Sequence, residues 1–124
     1  MGKNKLKKFD DLNNLSNVIQ PKIEELKKDY LHKGLWRRNI FKNDNEICLE
    51  LGCGKGEYTV ELAKRNPHIN YIGIDIKGAR IWSGANESKK LKNIFFLRTR
   101  IEFLNNFFDK GEINLIWITF PDPH

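Results

Sequence analysis

The sequence predicts an α/β fold, a Rossmann-like parallel sheet with helices on both faces. Two observations carry that prediction. From Glu46 onward, short and nearly unbroken apolar runs alternate with longer amphipathic ones. Strands buried on both faces have this unbroken character, and parallel strands require right-handed helical crossovers between them. The second observation is a glycine cluster, Gly52-Cys53-Gly54-Lys55-Gly56, where the first apolar run passes into an amphipathic one. Tight strand-to-helix turns of this kind border ligand sites in open α/β sheets. A chain of 124 residues suits one domain. Its 40% hydrophobic and 11% aromatic content excludes wholesale disorder.

The elements follow in order. Residues 1–20 are polar, open with Lys3, Lys5, Lys7 and Lys8, and are expected to form a basic flexible tail. Residues 21–45 are expected to hold a helix and a connection. Pro21 suits a first helical turn, Ile23, Leu26, Tyr30 and Leu31 fall on one face, and Gly34 suits the stop. Leu35-Trp36-Arg37-Arg38 then combines aromatic and basic character. It can stack on bases and pair with phosphates, or Trp36 can pack on the domain with the arginines in solvent.

Residues 46–124 carry the alternating pattern. Strands are expected at Ile47 to Leu51, Ile69 to Ile74 (stopping at Asp75), Ile94 to Leu97 and Ile113 to Phe120, four in all. Helices are expected at Glu57 to Asn66, Ala79 to Leu91 and Glu102 to Phe108. The first has acid at its start, Lys64 and Arg65 at its end and Pro67 beyond, which suits the helix dipole.

Composition narrows the function classes. The longest apolar stretches, such as Ile94 to Leu97 and Leu115 to Phe120, fall far below the ~20 residues of a membrane-spanning helix. No apolar segment follows the basic start, so no secretory signal is expected. Cys48 and Cys53 are too few for a disulfide framework and lack the second pair of an ordinary zinc site. A reduced, cytoplasmic protein with no metal and no membrane partner is the expectation. Mean hydropathy is -0.59, net charge is +6 and the isoelectric point is about 9.4. That balance attracts polyanions, nucleic acid among them, although an AT-rich genome also favours Lys, Asn and Ile.

The glycine cluster decides the ligand class. A dinucleotide fingerprint requires a third glycine where Glu57 stands, and no phosphate-binding G-x-x-x-x-G-K-[ST] loop is present. The run Glu50-Leu51-Gly52-Cys53-Gly54-Lys55-Gly56 instead resembles motif I of S-adenosylmethionine-dependent methyltransferases. This cofactor has no pyrophosphate, so an acidic side chain beside the loop is tolerated. Glu50 can offset the cofactor ammonium, and Asp75, at the end of the second expected strand, can accept from both ribose hydroxyls.

The chain closes on Thr119-Phe120-Pro121-Asp122-Pro123. With the segments 50–58, 72–80 and 96–102, this F-P-D-P signature resembles the bacterial tRNA (guanine-N7)-methyltransferases from about Gly34 to the last residue. The resemblance implies S-adenosyl-L-methionine as cofactor and tRNA, not DNA, as partner. Position by position, it assigns Glu50, Gly52, Gly54, Gly56, Asp75 and Asp122 to cofactor binding and Asp122 to catalysis. Guanine N7 carries an in-plane lone pair and no proton, so the implied methyl transfer needs alignment rather than a general base. Asp122 would then hold the guanine N1–H and amino edge or the cofactor ammonium.

Two departures accompany the resemblance. Arg100 stands where many members place an Asp on the adenine side of the cofactor, and the segments that follow F-P-D-P in the family are absent from these 124 residues. The expected architecture is therefore the cofactor-binding half of the fold, with an exposed apolar fourth-strand edge that favours association between chains. A non-catalytic cofactor- or RNA-binding remnant, and a methyltransferase with another substrate, remain alternatives. His32, His68 and His124 receive no role.

Overall fold

The computed structural model describes Leu12 and residues 14–118. Five strands form one parallel sheet: β1 (Val18–Ile19), β2 (Ile47–Leu51), β3 (Asn70–Asp75), β4 (Ile94–Arg98) and β5 (Leu115–Ile118), in the order β1-β4-β3-β2-β5. Helices α1 (Glu57–Arg65), α2 (Gly78–Glu87) and the short α3 (Leu104–Phe107) make the crossovers. The Rossmann-like expectation is borne out, and Leu115–Ile118 pairs in parallel with Ile47–Leu51 at one edge of the sheet.

The sequence buries the sheet on both faces by simple alternation. In β3, Tyr71 packs with Val60, Ala63, Ile81 and Ala85 of α1 and α2, whereas Ile72 and Ile74 point to the other face with Trp36, Leu49 and Phe107. Ile47, Ile72, Ile74 and Leu97 are all fully buried, each contributing about 1.5–3 kcal/mol through apolar transfer. At the far edge β5 is different: Leu115, Ile116 and Ile118 are each more than half exposed, as the expected apolar edge requires.

Three expectations need correction. Among the described residues the sheet has five strands, not four: Val18–Ile19, inside the stretch expected to be tail, pairs in parallel with Phe96 and Leu97, while residues 1–11 and 13 of that stretch lie outside the described residues. Two residues give no legible periodicity. Next, the helix expected from Pro21 is only a 3-10 turn, Ile23–Lys27. Asn106 explains the interruption. Its Nδ2 donates to the Leu26 carbonyl at 2.9 Å, and its own carbonyl accepts from Tyr30 N–H at 2.7 Å. In an α-helix those two groups would bond each other. Leu31 consequently points outward, 80% exposed, off the expected apolar face.

The third concerns the helix expected at Glu102 to Phe108, which begins as a 3-10 turn, Ile101–Phe103, and is α-helical only over Leu104–Phe107. The ends of the other expected elements move by a few residues, the largest being helix Ala79 to Leu91, observed as Gly78–Glu87; Thr119 and Phe120, the end of the fourth expected strand, lie outside the described residues. Of the two readings of the Trp36 cluster, packing holds. Trp36 is fully buried in a π-helical turn, Trp36–Phe41, and its Nε1 donates to the Phe107 carbonyl at 2.8 Å. Arg37 is not in solvent. It donates to the carbonyls of Asn45 and Glu112, at 3.0 and 2.8 Å, whereas Arg38 is exposed.

Candidate functional site

The site grows from the turn between β2 and α1. Gly52, Gly54 and Gly56 have φ of 70°, 57° and 75°, a left-handed region that side chains with a Cβ adopt only at a cost. The turn is pinned to β3 by the Ile74 carbonyl, which accepts from Gly52 N–H at 2.8 Å and Cys53 N–H at 2.9 Å. Asp75 completes the attachment. Its Oδ2 accepts from Gly54 N–H and its Oδ1 from Lys77 N–H, both at 2.9 Å. The carboxylate thus joins the glycine turn to the start of α2, and each oxygen retains a second lone pair.

The glycines divide by their surroundings. A Cβ built on Gly52 or Gly54 would meet nothing within 4 Å, so the backbone there faces open space. A Cβ on Gly56 would lie 2.7 Å from the Phe96 ring, one on Gly73 2.8 Å from it, and one on Gly84 2.6 Å from the Lys55 carbonyl. Gly52 and Gly54 leave room for a ligand; Gly56, Gly73 and Gly84 let turn, sheet and helix close around Phe96.

Two clefts open beside the turn. One, about 370 Å3, is lined by Gly52, Ile74, Asp75, Ile76 and the stretch from Thr99 to Glu102. The other, about 340 Å3, is lined by Glu50, Cys53, Lys55, Glu57 and Tyr58. Asp75 stands in the first and Glu50 in the second, so the turn has an acid on either side. The Glu50 side chain is fully buried, and its Oε1 accepts from the Thr59 hydroxyl on the first turn of α1. A larger cleft of about 570 Å3 lies away from the turn, along Leu49, Phe108, Ile113 and Ile116.

Burial raises the Cys53 thiol pKa far above its ordinary value of 9.0, and the Asp75 and Glu50 carboxylates push it further the same way. The thiol is therefore inert. In the unfolded chain it ionises near that ordinary value, while in the fold it stays protonated, so this contribution to stability is present below pH 9 and is lost as pH rises above it. Cys53 is expected to resist a thiol-titrating disulfide reagent in the native protein and to react fully in denaturant. Rapid native reaction at Cys53 would contradict the burial.

The structure brings Glu50, Gly52, Gly54, Gly56 and Asp75 together as expected. Asp122 lies outside the described residues. Sequence reasoning missed Thr59, which holds Glu50, and Phe96, around which the glycines close. It also missed Ile101 and Glu102 in the cleft wall. Thr59 has no local mark, and Phe96, Ile101 and Glu102, although inside the segment 96–102 that carries the resemblance, received no role because each acts through contacts with distant elements. Arg100 lines the Asp75 cleft, with its Nη1 3.9 Å from a Glu102 carboxylate oxygen.

A family model described as "Putative methyltransferase" matches residues 44–124, which include the turn, Asp75 and both clefts. The chain belongs to this methyltransferase family. A relative from Christiangramia forsetii, named tRNA (guanine-N(7)-)-methyltransferase, is 56% identical and covers 98% of this chain and 55% of its own length. One of the same name from Bacteroides fragilis is 50% identical, over 99% of this chain and 50% of its own. This methyltransferase chain thus spans about half the length of the curated relatives it matches. A solved structure titled "Structure of an antibiotic related Methyltransferase" overlays with a TM-score of 0.61 at 23% identity, covering 82% of this chain and 52% of that one. It supports the methyltransferase fold.

Proposed function

We propose that the chain is the cofactor-binding part of a cytoplasmic tRNA (guanine-N7)-methyltransferase, which transfers a methyl group from S-adenosylmethionine to N7 of a guanosine in the tRNA variable loop. The observation that carries the reading is the open space over Gly52 and Gly54 between two clefts, one holding Asp75 and the other Glu50. A ligand with a nucleoside at one end and an amino acid at the other fits that arrangement. The names of the relatives supply the substrate.

S-adenosylmethionine supplies an electrophilic methyl group on a sulfonium. The residues of this chain bind and align. Asp75 accepts from the ribose hydroxyls with the lone pairs that Gly54 and Lys77 leave. Glu50 offsets the ammonium across the turn, and the first-turn N–H groups of α1, which have no acceptor inside the helix, face the amino-acid carboxylate. Ile76 and Ile101, about half exposed in the Asp75 cleft, provide apolar walls for adenine. Because N7 carries no proton, no base is required, and positioning supplies up to ~7–11 kcal/mol. Asp122 holds the guanine edge.

Two measurements test this reading. Asp75→Ala should weaken S-adenosylmethionine binding by about 1–3 kcal/mol in calorimetry, the worth of hydrogen bonds to a charged acceptor. In the protein extended to the length of its relatives, Asp122→Ala should cripple methyl transfer, read by chemical cleavage of tRNA at 7-methylguanosine, with the fold intact. Unchanged affinity overturns the role of Asp75, and wild-type rates overturn that of Asp122.

A further inference from the structure

Beside the two clefts at the glycine turn, a third, of about 250 Å3, adjoins the Asp75 cleft on its β4 side and shares Ile76, Thr99 and Arg100 with it. Its remaining walls are Gln20, Pro21, Leu26, Arg98 and Phe103. We propose that this cleft binds a nucleotide of the RNA substrate other than the one methylated, with its base against Pro21, Leu26 and Phe103 and its phosphate toward Arg98 and Arg100. The proposal rests on the tRNA-methyltransferase reading and extends it to a second place on the RNA.

Three observations support it. First, the lining pairs an apolar and aromatic wall with two guanidinium groups and, among the described residues, holds no carboxylate. Bases stack on aromatic and apolar faces, and phosphates take Arg. Second, the guanidinium of Arg98 is held in place: its Nε donates to the Ile76 carbonyl at 2.9 Å and its Nη1 to Gln20 Oε1 at 3.0 Å. Arg100 is exposed, and its contact with Glu102 at 3.9 Å is a surface pair of little energetic worth, readily given up for a phosphate.

Third, position separates this cleft from the methylated base. Asp75 and Glu50, the acids that would hold the cofactor on either side of the glycine turn, stand at the ends of β3 and β2, and β2 lies on the side of β3 away from β4. The third cleft lies by β1 and β4, and β4 is three strand spacings from β5 in the sheet order, roughly 14 Å. An RNA strand crossing the carboxyl ends of the strands can therefore occupy both places.

Gln20 lines the third cleft and not the Asp75 cleft, so its substitutions test the proposal without touching cofactor contacts. Gln20→Glu keeps an acceptor for Arg98 but neutralises it, whereas Gln20→Lys adds positive charge. The probe is bulk tRNA, titrated by fluorescence anisotropy at several salt concentrations, with S-adenosylmethionine calorimetry on each variant. Gln20→Glu should weaken tRNA binding about three- to tenfold and flatten the dependence of log K on log salt by about 0.7–0.9. Gln20→Lys should move both the other way, and cofactor affinity should stay within about twofold. A purely structural role would lower tRNA affinity in both variants, and that result, or no change in either, overturns the proposal. Adenosine monophosphate is the free-nucleotide arm: if its binding follows the Gln20 substitutions while that of tRNA does not, the RNA assignment fails. All titrations use the protein extended to the length of its relatives, and if that protein binds cofactor but no tRNA, the tRNA reading itself is overturned.

Discussion

Glu112→Ala is expected to destabilise the fold by about 3–5 kcal/mol, measured as a drop in urea midpoint at constant slope. Glu112 is only 6% exposed and binds three backbone donors. Its Oε1 accepts from Gly34 N–H and Asp109 N–H, both at 2.9 Å, and its Oε2 from Trp36 N–H at 3.0 Å. One carboxylate thus ties the segment entering the π-helical turn to the loop between α3 and β5. Alanine strands all three donors, each worth about 1–3 kcal/mol when buried and unpaired. Rehydration at the exposed Gly34 lowers the sum. Glu112→Gln should recover only part of the loss, because its amide nitrogen turns a donor toward a donor. A loss below about 1 kcal/mol for the alanine variant would show that water replaces the carboxylate and that the segment is held by Trp36 packing alone.

That clamp also shows where sequence reading runs out. Apolar runs and the glycine turn are local signals, so four of the five strands, α1, α2 and the cluster of Glu50, Gly52, Gly54, Gly56 and Asp75 could be read directly. The Glu112 bonds to Gly34 and Trp36 join residues 78 and 76 positions apart, and nothing near Glu112 in sequence announces them. Asn106 is similar: it captures the Leu26 carbonyl from 80 residues away, and also Tyr30 N–H, and ends a helix that periodicity favoured. Trp36-Arg37 is a different case, where the sequence left two readings open. Its composition suits a nucleic-acid contact, and only the buried ring and the carbonyls that Arg37 reaches decide for packing. Local chemistry marked what can bind; long-range polar bonds determined which segments are fixed.

Gly56→Ala and Gly84→Ala should both lower stability and cofactor affinity, for reasons that Phe96 can separate. At Gly56, φ of 75° costs alanine about 1–2 kcal/mol. A Cβ there would also lie 2.7 and 2.8 Å from two Phe96 ring atoms, adding about 1–3 kcal/mol of overpacking. At Gly84 alanine would improve helix propensity by about 1 kcal/mol, but its Cβ would lie 2.6 Å from the Lys55 carbonyl and 2.9 Å from Phe96 Cζ. A side chain can yield; the Lys55 carbonyl belongs to the turn itself and can move only by shifting the backbone that faces the open space over Gly52 and Gly54. Gly84→Ala should therefore show a larger loss of S-adenosylmethionine affinity for each kcal/mol of stability lost. In a Phe96→Leu background the overpacking at Gly56 should disappear, leaving about 1–2 kcal/mol from the backbone, while the Gly84 penalty should persist. Chemical denaturation and cofactor calorimetry on the two double-mutant cycles give the answer. Equal rescue at both positions would mean that the Phe96 ring, and not contact between turn and helix, sets the height of the glycine turn above the sheet.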